Sequence, residues 1–178
     1  MYLDYDKLKK WEVAGTFWII IVGSILHFVY DWSNKSRVIA MFSPVNESLW
    51  EHLKLGYWAL LFFMLIEYWF VRKYTNSFFI AKTSGILAMS FLIIIVFYSY
   101  TTIMKRHILI IDIGSFIVGA ILCQYISFKL MKRNLNNFLN GVGFLIFILI
   151  GAAFIFFTFK TPHLDIFKDP SKGIYGIE

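Results

Sequence analysis

Charged residues and cysteine are both scarce in this sequence of 178 residues. Asp, Glu, Lys and Arg together make up 16% of the chain, whereas 59% of its residues are hydrophobic. A soluble domain of this length has too little interior to bury so much apolar surface, so a water-soluble globular protein is excluded. Cys123 is the only cysteine, which rules out an intrachain disulfide, and its place in an apolar segment predicts a buried side chain.

The sequence also lacks the short motifs that identify common metal and redox sites, because neither His-Glu-x-x-His nor Cys-x-x-Cys occurs. Internal repeats and low-complexity tracts are absent as well. Basic residues form short clusters near the ends of apolar segments, such as Lys105–Arg106 and Lys132–Arg133. These positions favour contact with lipid head groups, so we expect membrane lipids as partners and no nucleic acid.

Long apolar segments dominate what remains. A run of about 18 or more apolar residues crosses a bilayer only as a helix, because lipid offers its backbone no hydrogen bonds. Five segments meet this criterion: 13–30, 55–71, 78–104, 108–131 and 138–159. They predict an all-α polytopic transmembrane helix bundle, a single integral membrane domain over residues 1–178, with 161–178 as a C-terminal loop or lid. Gly141, Gly143 and Gly151 are expected where helices approach closely.

The connection between the first two segments carries a helix-start signal, since Ser43 is a capping residue and Pro44 suits the first helical position. The second membrane helix is therefore expected to begin near Pro44. Its first turns would carry Glu47 and Glu51 at i, i+4 spacing, and Ser48 and His52 at the same spacing, so that both pairs share one polar edge.

With five spans, the polar residues collect at one membrane face. Basic residues are divided almost evenly between the two sides, so orientation depends on the cluster Lys7–Lys10 before the first helix, which favours an inside N-terminus. At the opposite face lie all four histidines and seven of the eleven acidic residues: His27, His52, His107, His163, Asp31, Glu47, Glu51, Asp112, Asp165, Asp169 and Glu178.

Imidazole and carboxylate groups that converge from several helices favour a divalent metal site that suits Zn²⁺, Mn²⁺ or Fe²⁺, with zinc as the expected ion. Asp112 lies about one turn inside the fourth helix, where a lone carboxylate requires a partner, so we expect it to face the bundle interior. His107 is interpreted as an interfacial anchor, because its spacing places it off the face of Asp112. The predicted metal ligands are His27, Asp31, Glu47, His52, Asp112 and His163, with Asn46, Ser48 and Asp165 as further site residues.

These groups predict a membrane-embedded, metal-dependent hydrolase acting on a lipid or amphipathic substrate, with Glu51 as the general base. A cation- or proton-coupled transport protein using the same cluster is the first alternative. A non-catalytic structural protein is the second. Glu67 lies towards the other face, where we expect it to extend towards Arg72 or Lys73, the alternative being a proton relay.

Three segments carry a resemblance to known sequences: His27–Asp31, Ser43–Leu55 and Thr161–Ile177. Together they resemble an uncharacterised family of small bacterial integral membrane proteins, over essentially the whole chain. The resemblance implies a bacterial cytoplasmic membrane and names no reaction.

A looser similarity is to the alkaline ceramidase and adiponectin-receptor superfamily, in which Ser, Asp and three His residues hold zinc for lipid amide hydrolysis. Ser24, His27, Asp31 and His52 correspond to part of that set, which implies a catalytic role for Ser24. The chain departs from that superfamily in having five spans where those proteins have seven, and in lacking a His-x-x-x-His pair in the last helix.

Overall fold

The structure is a computed structural model that describes residues 4–133 and 135–177, so Glu178 lies outside the described residues. Within those residues the chain forms five α-helices: α1 (Tyr5–Trp32), α2 (Leu49–Val71), α3 (Phe78–Met104), α4 (Leu109–Met131) and α5 (Asn137–Phe159). Each is long and apolar enough to span a membrane. The predicted all-α bundle with five spans is therefore confirmed.

Helix α2 occupies the centre of the bundle. It packs against α1, α3 and α5, while α4 closes the bundle between α1 and α3. Of its most apolar stretch, 61% is buried, against 39% or less in the other four helices. Polar side chains on α2 are therefore the ones most enclosed by neighbouring helices.

Burial along α1 follows the helical period and shows which side faces lipid. Leu8, Ile19 and Leu26 are buried, whereas Phe17 and Ile21 are more than half exposed. An exposed apolar stripe would be unfavourable in water, and it is the expected outer surface of a helix in hydrocarbon. The same division holds on the other outer helices.

Two glycines of α5 allow neighbouring helices to approach closely, as predicted. A side chain at Gly143 would collide with the Ile80 backbone of α3, and one at Gly151 would collide with the Tyr57 ring of α2. At Gly141 the prediction is wrong, because a Cβ atom there would meet open space.

The two ends of the bundle differ in what they carry. We call the end where α5 finishes the tail face, because residues 161–177 lie there, and the other end the N-terminal face. The tail contains a short 3-10 turn at Asp165–Phe167 and an isolated β-bridge between Lys168 and Tyr175. The ends of α1 and α3 and the starts of α2 and α4 also lie at the tail face.

Candidate functional site

The segment before α2 determines the geometry of the site. Helix α2 begins at Leu49, where the Ser48 hydroxyl caps the helix by accepting from the Glu51 backbone N–H. The predicted start near Pro44 is wrong, because the Ser43 hydroxyl bonds instead to the end of α1, at the Tyr30 N–H and the Leu26 carbonyl.

This later start changes the position of Glu47. It belongs to the loop before the helix, so the predicted i, i+4 pairing with Glu51 on one helical edge is wrong. Because Glu47 lies outside the helix, its carboxylate contacts both histidines. The Oε2 atom lies 3.4 Å from His52 Nε2 and 3.8 Å from His27 Nε2.

His27, Glu47 and His52 form a compact group that we call the triad. The two Nε2 atoms lie 3.2 Å apart, and one ligand atom from each of the three residues lies within 4.8 Å of the others. Ligand atoms of a tetrahedral zinc ion lie about 2.0–2.1 Å from it and hence about 3.3 Å from one another. The observed separations are close to that value, so the triad has the dimensions of a metal site.

Hydrogen bonding orients the His52 ring in the manner usual for metal ligands. Its Nδ1 lies 2.9 Å from the Ser48 carbonyl oxygen, which can only accept, so Nδ1 carries a proton. In the neutral ring the lone pair is therefore on Nε2, which points towards His27 and Glu47. A backbone carbonyl on the distal nitrogen is a common outer partner of a histidine ligand.

The electrostatics of Glu47 suit the same role. Its contact with the His52 imidazole lowers the pKa of the Glu47 carboxyl, and partial burial opposes this shift without reversing it. The ionised carboxylate is therefore favoured, and that is the form that binds a cation.

A pocket of about 550 Å³ opens beside the triad, between α1, α2, α3 and α4. Most of its lining is apolar, including Ile20, Ile93 and Phe116. Ser24, the predicted catalytic serine, also lines it, and its hydroxyl donates to the Ile20 carbonyl of its own helix. A largely apolar cavity with a few convergent polar groups is typical of a small-molecule site.

Asp112 contributes a second polar group to this pocket. Its Oδ1 accepts a hydrogen bond of 2.7 Å from the Tyr100 hydroxyl, so the expected partner exists and comes from α3. His107 also lines the pocket, with its Nδ1 3.9 Å from Asp112 Oδ2. The sequence-based prediction assumed that His107 belongs to the same helix as Asp112. In the structure α4 begins only at Leu109, so His107 lies in the preceding turn, where Lys105 adopts a φ of 54°.

Glu51, the predicted general base, does not line the pocket. It is buried and forms an ion pair of 2.6 Å with Lys54, and it accepts hydrogen bonds from the Val45 N–H and the Thr158 hydroxyl. These three donors hold the Glu51 carboxylate in a buried position that does not line the pocket. The assignment of Glu51 as general base therefore stays a prediction, without support from a position that faces the pocket.

Three further predicted site residues do not line the pocket. Asp31 is exposed at the end of α1 and does not line the pocket. His163 is exposed and stacks on Tyr175, with ring centroids 4.7 Å apart. Asp165 is exposed at the start of the 3-10 turn. The structure thus brings together His27, Glu47, His52 and Asp112 around one pocket and leaves these three outside it.

The tail is held against the loop that carries Glu47. Asp169 is buried and its Oδ2 accepts from the Glu47 N–H at 3.1 Å, and Asn46 donates to the Gly176 carbonyl at 2.9 Å. Phe167 packs on Trp50, and Pro170 and Ser171 form part of the pocket lining. The tail therefore supports the Glu47 loop and borders the pocket.

Comparison with known sequences gives the family and no activity. Neither a curated protein nor a solved structure matches the chain. A family model described as "Family of unknown function (DUF6512)" matches residues 1–177. Because that match covers nearly the whole sequence, the chain belongs to the DUF6512 family of unknown function.

Proposed function

We propose that this protein is a membrane-embedded, metal-dependent hydrolase that acts on a lipid or another amphipathic substrate. One observation supports it most strongly: two imidazole nitrogens and a carboxylate oxygen lie within 4.8 Å of one another beside an apolar pocket. Three ligands of this type, two histidines and a glutamate, are a set that catalytic zinc sites use.

The chemistry follows from the number of ligands. His27, Glu47 and His52 would hold a zinc ion through three ligands, the number that catalytic zinc sites use. When bound, such an ion would supply a water molecule of lowered pKa as a nucleophile near neutral pH. The pocket beside the triad would admit the ester or amide carbonyl of the substrate.

Asp112 is the general base that we propose in place of Glu51. It lines the same pocket as the triad, and the Tyr100 hydroxyl holds one carboxylate oxygen, which leaves the other free to accept a proton. His107 Nδ1 lies 3.9 Å from that second oxygen, and the His107 side chain is 37% exposed. His107 could therefore pass the proton from Asp112 to solvent.

The shape of the pocket supports an amphipathic substrate. Phe28, Leu109 and Ile113 line it and are each about half or more exposed on the outer surface of the bundle. In a bilayer this surface faces hydrocarbon, so an acyl chain can enter sideways between α1 and α4 while its polar end meets the triad. We place the protein in a bacterial cytoplasmic membrane with the N-terminus inside, which puts the triad towards the outer leaflet.

Metal analysis of the purified protein tests the proposal. After exposure to Zn²⁺ and removal of excess ion, we expect about one ion per chain, and at least tenfold weaker binding in His27→Ala, His52→Ala and Glu47→Gln. His163→Ala is the matched control, because this histidine lies outside the pocket. Absence of stoichiometric metal from folded wild-type protein would exclude the metal-dependent reaction.

Ion-coupled transport is the second candidate, and the 3.2 Å contact between the two Nε2 atoms favours it, because two such imidazoles can share a proton. Glu47 and Asp112 would then bind or pass the transported ion. Proton or cation flux in proteoliposomes that is lost in His52→Ala would support transport, whereas vesicles that stay tight under imposed gradients would argue against it.

A further inference from the structure

A second group of buried polar side chains, three of them ionisable, lies near the N-terminal face, far from the triad. It consists of one side chain from each of four helices: Glu12 of α1, Glu67 of α2, Lys82 of α3 and Gln124 of α4. None of the four is more than 3% exposed. We call them the buried cluster.

Lys82 stands at the centre of the buried cluster. Its ammonium nitrogen lies 3.0 Å from both carboxylate oxygens of Glu12, 2.7 Å from Glu67 Oε2 and 3.1 Å from Gln124 Oε1. Three N–H groups therefore face three acceptor side chains, so the hydrogen-bonding capacity of the ammonium is used completely. Glu67 contacts this buried ammonium and does not extend towards Arg72 or Lys73, so that sequence-based prediction is wrong.

The two carboxyl groups are not equally well supplied with donors. Glu12 accepts from Lys82 through both oxygens and also from the Ser127 hydroxyl at 2.9 Å. Neither oxygen of Glu67 has a hydrogen-bond partner beyond its ion pair with Lys82, and the buried amide nitrogen of Gln124 also has none. Buried polar atoms without partners are uncommon, and of the two carboxyl groups in the cluster it is Glu67 that has them.

The charges of the buried cluster do not balance when both carboxyls are ionised. Two carboxylates and one ammonium leave a net charge of −1 where side chains are buried and the Lys82 nitrogen lies 5.8 Å from the rings of both Phe63 and Phe78. The buried thiol of Cys123 is the titratable group that α4 places near this region, and α5 contains no titratable residue. An uncompensated charge is strongly disfavoured in such surroundings.

We propose that the buried cluster is a proton-binding site that holds one proton on the Glu67 carboxyl. Glu67 is the group with fewer donors, so protonation there removes the excess charge and leaves the Glu12–Lys82–Ser127 contacts intact. A protonated carboxyl also gains an O–H donor.

The position of the buried cluster gives the proton a short route to water. Glu67 lies four residues before the end of α2 and Lys82 four residues after the start of α3. At about 1.5 Å per residue, both lie about 6 Å along the helix axis from the N-terminal face. The proton is therefore expected to exchange with that side of the membrane.

Infrared spectroscopy of the full chain in lipid tests this proposal, because a protonated carboxyl has a carbonyl band separate from carboxylate bands and shifts in D₂O. Charge balance predicts one protonated buried carboxyl in the wild type, none in Glu67→Gln, and two in Lys82→Gln. The Glu51–Lys54 pair is a matched control, because its charges balance one to one, so Glu51→Gln should leave the band unchanged.

Three results would overturn the proposal. One is a folded wild-type protein that shows no exchangeable protonated carboxyl at neutral pH. Another is a band that persists in Glu67→Gln but disappears in Glu51→Gln. The third is a band that disappears when Na⁺ or K⁺ is added at constant pH, which would make the buried cluster a cation site. If Lys82→Gln does not fold, the Glu67→Gln and Glu51→Gln spectra still decide the question.

Discussion

At the scale of single residues, the buried and half-buried glutamates of this chain differ in what lies beside each carboxyl. Glu47 meets two imidazoles, Glu51 meets one ammonium, and Glu12 and Glu67 share another. An imidazole can give up a proton and bind a metal, whereas one ammonium forms an ion pair that balances the charge of one carboxylate. The neighbours thus divide these residues into a candidate ligand, a structural ion pair and a proton site.

Replacing Glu51 separates the structural role from a catalytic one. Glu51→Gln leaves Lys54 buried and unpaired, so we expect the free energy of unfolding to fall by about 3–5 kcal/mol, with bound metal per folded chain unchanged. Thermal unfolding in detergent together with metal analysis measures both quantities. The double variant Glu51→Gln, Lys54→Met removes both charges and should recover most of the lost stability. Loss of metal at full stability would make Glu51 a ligand.

The triad predicts a definite pH dependence of metal binding. Affinity should fall as the pH drops through the range in which histidine gains a proton, near about 6.5 for an unperturbed imidazole, because a protonated ring has no lone pair for the metal. Glu47 does not set this limit, since contact with His52 lowers the pKa of its carboxyl. The stability that ionised Glu47 contributes is present above its unfolded pKa and is lost only as the pH falls through its lower folded value.

Competition with a chelator between about pH 5 and about pH 8 measures this dependence. Glu47→Gln serves as the comparison, because it removes one ligand and should bind more weakly while retaining the pH dependence that the histidines cause. An affinity that does not vary over this range would mean that the histidines are not ligands.

At the scale of helices, the hydropathy of the sequence located the five spans, because a helix that crosses lipid must be apolar over most of its length. The start of α2 could not be found in this way, since two serines, Ser43 and Ser48, offer equivalent capping signals. The first is used to tie the loop to α1, and that contact spans 17 residues. Local sequence contains no information on which of two competing partners a hydroxyl will meet.

The candidate site shows the same division between local and long-range information. The i, i+4 relation of Ser48 and His52 is local, and the structure retains it as a hydrogen bond within the first turn of α2. The contacts of Tyr100 with Asp112 and of Lys54 with Thr158 join different helices, and the second spans 104 residues. Such pairs depend on how the helices rotate against one another, which an apolar pattern alone leaves undetermined.

The tail provides a prediction at this scale, because it supports the loop that carries Glu47. Asp169→Asn weakens the acceptor for the Glu47 N–H, and Asn46→Ala removes the donor to the Gly176 carbonyl. Each change should loosen Glu47 and weaken metal binding by about tenfold, as outer partners of ligands commonly do. The exposed Lys168 gives a matched control, Lys168→Ala, expected to bind metal like the wild type. Unchanged affinity in both loop variants would mean that the tail does not position Glu47.

At the scale of the whole molecule, the triad and the buried cluster occupy opposite ends of the same helices. His27 and Glu12 are 15 residues apart on α1, as are His52 and Glu67 on α2, which is about 22 Å along each axis. Substitutions so far apart usually act independently. Loss of bound metal in Glu67→Gln would therefore indicate that the variant does not fold. Metal content thus also serves as a folding control for the infrared experiment.

The opening between α1 and α4 yields a last prediction, which concerns how a substrate reaches the pocket from the bilayer. Ile117 lines the pocket and is 37% exposed, whereas its neighbour Val118 is 53% exposed and does not line it. Ile117→Trp should obstruct entry and lower kcat/KM for a two-chain glycerolipid ester by about tenfold, or about 1.4 kcal/mol. A water-soluble short-chain ester should react at an unchanged rate, because it can reach the triad from the tail face.

Val118→Trp adds the same bulk one position away and should leave hydrolysis of both esters unaltered, with metal content equal in all three proteins. An equal fall in kcat/KM for the two-chain ester in both tryptophan variants would indicate a general disturbance of α4. Unimpaired hydrolysis of the two-chain ester by Ile117→Trp would mean that lipid does not enter between α1 and α4. In that case the polar mouth beside Pro170 and Ser171 would be the remaining route, and shortening the tail should then change the rate for both substrates alike.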